Sequence, residues 1–162
     1  MYIYICNKVH IVDYYEEFNM TKKLLSSLIV LSIFSTSILF ADMIVPASAL
    51  PNQAVTFIKK IYPNAQIWKV ERDGAKFDVE LSNGASVDFL TNGDWIKIDG
   101  EYNGVPFSVL PQAVVNTVKK TYPQAMMVSV EKEWGNYKIK LNNMMEMFIS
   151  SNGQLMGQQF DD

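Results

Sequence analysis

The sequence predicts an α+β domain: two tandem helix-plus-four-stranded antiparallel meander repeats forming one curved eight-stranded sheet, with both helices on one face. Three observations lead there. Residues 50–95 recur over residues 110–155 without a gap, at a constant offset of sixty. Within each copy the apolar spacing is helical at first and then switches to strict alternation. The alternation leaves one apolar face per copy, too thin a core for a unit of this length standing alone. Two copies are therefore expected to share one interior.

The elements follow in chain order. Residues 1–19 read as an extended or non-translated leader, because Lys8 against Asp13, Glu16 and Glu17 gives a net negative stretch where an export signal starts positive. Residues 20–41 have the layout of a secretory signal peptide. Lys22 and Lys23 precede an apolar run from Leu24 to Phe40, and small residues follow at Ala41 and at Ala47–Ala49. Translation is expected to begin at Met20 and cleavage to fall at Ala41–Asp42 rather than Ala49–Leu50. No cysteine stands near either cleavage point, so a lipid-modified terminus is not expected. The run is short for a membrane span and diluted by Ser and Thr. The expected location is periplasmic or secreted, with no membrane attachment after cleavage.

Removing that leader changes the available chemistry. Cys6 and His10 are the only residues of their kinds, and both precede residue 42. Taking Lys8, Lys22 and Lys23 from the 14 basic residues leaves 11, and taking Asp13, Glu16 and Glu17 from the 17 acidic residues leaves 14. The balance stays at −3, which provides no electrostatic footprint for nucleic acid. Without cysteine pairs the exported domain depends on its hydrophobic core.

The first repeat, 50–99, opens on Leu50-Pro51, with proline suited to a first helical turn. Ala54, Val55, Ile58 and Ile61 or Tyr62 share one helical face. Lys59 and Lys60 fall in the last turn, where positive charge suits the helix dipole. Pro63 ends the helix, since the residue before proline is pushed out of the α region. Alternation then runs through residues 66–71, which puts Trp68 on the apolar side, to a turn at Asp73-Gly74. Phe77, Val79 and Leu81 point one way and Lys76, Asp78 and Glu80 the other. Asn83-Gly84 signals a hairpin, Ala85, Val87 and Phe89 point inward, and Asn92-Gly93 turns the chain into a strand from Asp94. The connector, 100–109, carries the turn formers Asn103-Gly104 and Pro106.

The second repeat, 110–160, runs the same way. Val114, Val115 and Val118 form the helical face, and Pro123 stops it. Tyr137, Ile139 and Leu141, then Met145, Met147 and Ile149, keep the inward register. The last strand is expected within residues 154–160.

These features together resemble a known family. The spacing of Leu50-Pro51, Tyr62-Pro63, Ala65, Val70-Glu71 and Asp73, then Leu81–Gly84, Asn92–Trp95 and Val105–Pro111, is that of PepSY-like proteins, exported bacterial proteins also described as β-lactamase-inhibitor-like for their fold. The second repeat departs at Asn143-Met144, where Asn-Gly is expected, and at Leu155, where Trp is. The resemblance implies a tandem architecture with a concave, solvated sheet face that binds protein or peptide, enzyme inhibition included. It brings no catalytic residues.

No activated nucleophile, phosphate loop or thiolate–imidazole metal set is available after residue 42, so no enzyme activity and no cofactor are expected. Asp78, Glu80 and Asp88 are expected on the open face, interleaved with Lys76 and Lys97 as solvated pairs of mixed sign. Met126, Met127, Met144, Met145, Met147 and Met156 crowd the second repeat, and thioethers suit Cu(I), which makes copper or small-ligand handling the alternative. Met145 and Met147, however, sit in the inward register. Phe148 points by register to the open face, where Asp88 stands in the first repeat, and Trp95 opens a strand of ambiguous facing. The candidate interface is therefore Trp95 and Phe148, with Lys97, Lys138 and Lys140 around them, and the expected partner is a protein or peptide.

Overall fold

A computed structural model describes residues 43–161 of the chain. The segments read as leader, 1–19 and 20–41, lie outside the described residues. The elements run β1 (Met43–Ile44), α1 (Asn52–Ile61), β2 (Ile67–Asp73), β3 (Lys76–Leu81), β4 (Ser86–Leu90), β5 (Trp95–Asp99), α2 (Gln112–Thr121), β6 (Met127–Glu133), β7 (Asn136–Leu141), β8 (Met145–Ser150) and β9 (Leu155–Phe160). Three-residue 3-10 turns occupy Ala47–Ala49, Glu101–Asn103 and Phe107–Val109.

All strands join one sheet in chain order, each antiparallel to the next. The sheet has nine strands among the described residues rather than the expected eight. The addition is β1, whose Met43 and Ile44 pair with Arg72 and Glu71. Two residues carry no periodicity, so this strand leaves no trace in the sequence pattern. It covers the outer edge of β2, as short edge strands do.

Both helices form where expected and for the expected reasons. Pro51 and Pro111 stand immediately before them, and Tyr62 and Tyr122 cap their ends one residue ahead of Pro63 and Pro123. Ala54, Ile58 and Ile61 of α1 and Val114, Val115 and Val118 of α2 are buried in a single core with the inward strand residues. That core runs without interruption from Phe77, Val79 and Leu81 through Ile98 and Val130 to Ile139, Met147 and Ile149. Each fully buried aliphatic side chain contributes about 1.5–3 kcal/mol, so the shared interior is what either copy lacks alone. The junction is the pairing of β5 with β6, Lys97 to Glu131, Ile98 to Val130 and Asp99 to Ser129.

The repeat extends to irregularities. One extra residue interrupts the pairing at Trp68 in β2 and at Val128 in β6, and again at Ile96 in β5 and Met156 in β9. Each bulge sits sixty residues from its twin. A bulge bends its strand and shifts the alternation by one residue.

That shift corrects the expectation for Trp68. Strict alternation puts Trp68 on the same side as Val70, inward. The bulge instead gives Ile67 the inward register opposite Leu81, and Trp68 is left 78% exposed. The same device acts on Trp95 in the opposite sense. With Ile96 as the extra residue, Trp95 pairs with Phe89 on the helix side and is only 8% exposed.

Candidate functional site

Neither helix covers the second face of the sheet, and its side chains line up in rows fixed by register. One row reads Glu71, Asp78, Asp88, Lys97, Glu131, Lys138, Phe148, Gly157, one residue from each of β2 to β9. The parallel row reads Lys69, Glu80, Ser86, Asp99, Ser129, Lys140, Glu146, Gln159. The expected interleaving of signs therefore does not hold in the first half. Asp78 stands directly between Glu71 and Asp88, a like-charge arrangement that costs stability. Burial, then Glu80 and Glu71, push the Asp78 carboxyl above its ordinary range. Burial, then Asp78, do the same to Asp88, with Lys97 and Lys76 opposing. Lys69 relieves the neighbouring positions, pairing with Glu71 at 2.9 Å and with Glu80 at 3.1 Å.

Two concavities mark the face. One of about 180 Å³ is lined by Glu71, Asp73, Lys76, Phe77, Asp78 and Asp88. The other, about 190 Å³, is lined by Lys97, Asp99, Ser129, Glu131, Lys138 and Lys140. The first is predominantly acidic and the second carries the lysines.

The five candidate residues divide on inspection. Trp95 does not belong to this face. It stacks on Phe57, ring centroids 6.1 Å apart, and Phe57 meets Phe89 edge-on. Lys132, from the second repeat, lies 3.7 Å above the Trp95 ring and donates to its backbone carbonyl at 3.0 Å. Burial lowers the Lys132 pKa, with Asp94 opposing. Trp95 is thus a clasp between the repeats.

Lys97, Lys138, Lys140 and Phe148 do lie on the open face, but they are not equally available. Lys138 and Lys140 lean on Glu146, which is 2% exposed, at 3.1 and 3.9 Å from its Oε1. Gln159 donates to the other carboxylate oxygen at 2.6 Å. Lys138 lies close enough to Oε1 for charge attraction yet off the hydrogen-bond direction, which leaves that oxygen without a directed partner. The Glu146 carboxylate accordingly raises the Lys138 pKa. Lys140 is held further by Asp161 at 2.8 Å. Sequence reasoning missed Glu146, since a charged residue at an outward position normally reads as solvated. Lys97 has no ion pair within 4 Å among the described residues, although Asp88 and Glu131 flank it. Phe148 is half-buried, and its ring leans over Gly157 of the neighbouring strand. An aromatic covering a strand glycine is a common stabilising pair.

Two tryptophans are more exposed than any candidate. Trp68 stands on its bulge. Trp134, 99% exposed, occupies the β6–β7 turn with φ 50°, followed by Gly135 at φ 80°. The methionines scatter: Met127 and Met147 are buried, Met145 packs on the core, and Met126, Met144 and Met156 are exposed. No cluster of three or more His, Cys, Asp or Glu arranged to hold a metal occurs among the described residues. No helix among them is long and apolar enough to cross a membrane.

Comparison with known proteins agrees with this architecture. The profile of the PepSY-like proteins, a proposed β-lactamase-inhibitor-like family, matches residues 40–87 and 75–157. Among curated sequences no relative matches. A proposed periplasmic protein from Bacteroides vulgatus ATCC 8482 has a similar structure, with 27% identity and a TM-score of 0.69, covering 73% of this chain and 96% of that one. A second from the same organism, of unknown function, gives 26% identity and 0.67 over 74% and 99%. A protein from Bacteroides thetaiotaomicron described as a proposed calcium-regulated periplasmic protein shares the fold, at 24% identity and 0.69 over 73% and 96%. The two Bacteroides vulgatus neighbours are described as periplasmic, in agreement with the exported location read from the sequence. With the profile matched across both repeats and the tandem sheet formed as its motifs imply, the chain belongs to the PepSY-like family.

Proposed function

We propose that this protein is an exported, non-enzymatic binding module that captures a protein or peptide on its open sheet face, with inhibition of an enzyme as one use of such capture. The observation that supports the reading is the segregation of charge on an uncovered face. Glu71, Asp78 and Asp88 stand together in one row, and Lys97 follows them without a close ion pair. A partner laid across the strands meets Glu71, Asp78 and Asp88, then Lys97, Glu131 and Lys138, then the Phe148 ring. Such an arrangement sets orientation and association rate more than raw affinity. Catalysis has little support, because Cys6 and His10 both lie in the leader and the carboxylates are not paired with a recognisable base.

A photo-cross-linking residue introduced at Lys97 or at Phe148 tests this in the expressing cell. Adducts are expected from those positions and not from Asn116, on the exposed side of α2. With the cross-linking residue at Lys97, Phe148→Asp should reduce recovery of the same adduct by about tenfold or more. Adducts from Asn116 with none from the sheet would remove this face from consideration.

A further inference from the structure

The internal repeat builds one groove twice, and the chain fills only the first. In the first repeat the groove lies between the end of α1 and the β3–β4 turn, walled by Tyr62, Pro63, Ala65 and Asn83. Ser82 N–H bonded to Gln66 O at 2.8 Å holds the turn in place. The connector enters it. Asn103 donates its side-chain Nδ2 to Asn83 O at 2.6 Å, and Tyr62 donates its hydroxyl to Gly104 O at 2.9 Å. Gly104 takes φ 68°, which favours glycine, and its backbone packs against Met126 and against Met127, the first residue of β6. Val105 is buried behind it. The enclosure is tight enough that burial, aided by Asp99, pushes the Tyr62 hydroxyl up to about 12.

The second repeat has the same helix-end and hairpin walls, while β6, which backs the first groove and bonds Val105 N–H through Met127 O at 2.7 Å, has no twin among the described residues. Tyr122, Pro123, Ala125 and Asn143 stand sixty residues on, and Asn142 N–H bonds Met126 O at 2.9 Å as its counterpart does. Here the groove is open, with a volume of about 400 Å³. Tyr122 donates instead to the side chain of the exposed Gln158, at 3.2 Å, which is long for a hydroxyl.

We propose that the Tyr122 groove receives an asparagine-bearing polypeptide segment contributed by another chain, its carboxamide on the Asn143 carbonyl and the next residue's carbonyl on the Tyr122 hydroxyl, as Asn103 and Gly104 engage Asn83 and Tyr62 in the first groove. The walls select for this chemistry. The Asn143 carbonyl is placed to accept from a carboxamide and the Tyr122 hydroxyl to donate to a backbone carbonyl, as Asn83 and Tyr62 do in the first groove. The groove lies at the end of α2, away from the open sheet face, so this inference and the proposed function stand or fall separately.

The probe is the synthetic peptide Glu-Tyr-Asn-Gly-Val-Pro-Phe, blocked at both ends, titrated into isotope-labelled protein produced from the full coding sequence. Saturable amide shifts are expected at Gln124, Ala125, Asn142 and Asn143. Tyr122→Phe should weaken binding about three- to tenfold, the effect of one neutral hydrogen bond. A peptide with Leu in place of its Asn should lose a similar amount. Tyr122→Phe removes only an exposed contact, and an unchanged spectrum elsewhere verifies the fold. No shifts up to millimolar peptide would overturn the proposal. So would saturable binding that neither change weakens, or shifts confined to the strand residues around Lys97 and Phe148.

Discussion

Asp78 and Asp88 oppose each other across β3 and β4, and both carboxyls are raised, first by burial and then by neighbouring acids. A raised carboxyl makes a contribution that is fully present below the ordinary aspartate range and is lost as pH rises through the raised value. The pair therefore opposes folding at neutral pH and ceases to do so on acidification. Asp88→Asn is expected to stabilise the protein at neutral pH by a few tenths to about 1 kcal/mol, discounted for the exposure of Asp78. The gain should vanish by about pH 3, below both values. Urea unfolding across that pH range measures it. A constant gain at all pH values would assign the effect to something other than charge. This pair was half legible in the sequence: alternation identified both residues as outward, but only the register made them neighbours. The same holds for Lys138 and Lys140, readable as outward lysines yet committed to the buried Glu146.

Hairpin turns were the most legible elements, and the exceptions among them are informative. Gly84 sits in the β3–β4 hairpin turn with φ 87°, and its twin in the second repeat is Met144, at φ 62°. A non-glycine residue there carries about 1–2 kcal/mol of left-handed strain. Glycine relieves it but loses more entropy on folding, about 0.5–1 kcal/mol. Met144→Gly should therefore raise stability by about 0.5–1 kcal/mol, read as a higher urea midpoint at unchanged slope. A lower midpoint would mean that the exposed Met144 side chain makes contacts worth more than the strain. Bulges were not legible. A bulge adds one residue to one strand relative to its partner, and nothing in either strand alone marks it. That is why Trp68 stands exposed against expectation and why the facing of Trp95, ambiguous in the sequence, was decided only by register.

The two copies, residues 50–160, form one core, and Ile98 lies fully buried where they join, paired with Val130. Ile98→Ala is expected to cost about 2–5 kcal/mol. It should lower a single unfolding transition seen equally by the amide signals of the buried Val79 in the first repeat and Ile139 in the second. Two separate transitions, with only one displaced, would mean that each copy folds alone. By itself the sequence determined that there are two copies, that each is a helix followed by a meander, which helical face is apolar, and that the interior must be shared. Those properties are carried by periodicity along the chain, which neighbouring residues express locally. Only the tertiary structure decided which tryptophan is covered, that Glu146 is buried beneath two lysines, that Glu71, Asp78 and Asp88 stand side by side on the open face, and that a short ninth strand covers one edge. Each of these depends on register between strands, where residues far apart in the chain become neighbours, and a shift of one residue sends a side chain to the opposite face.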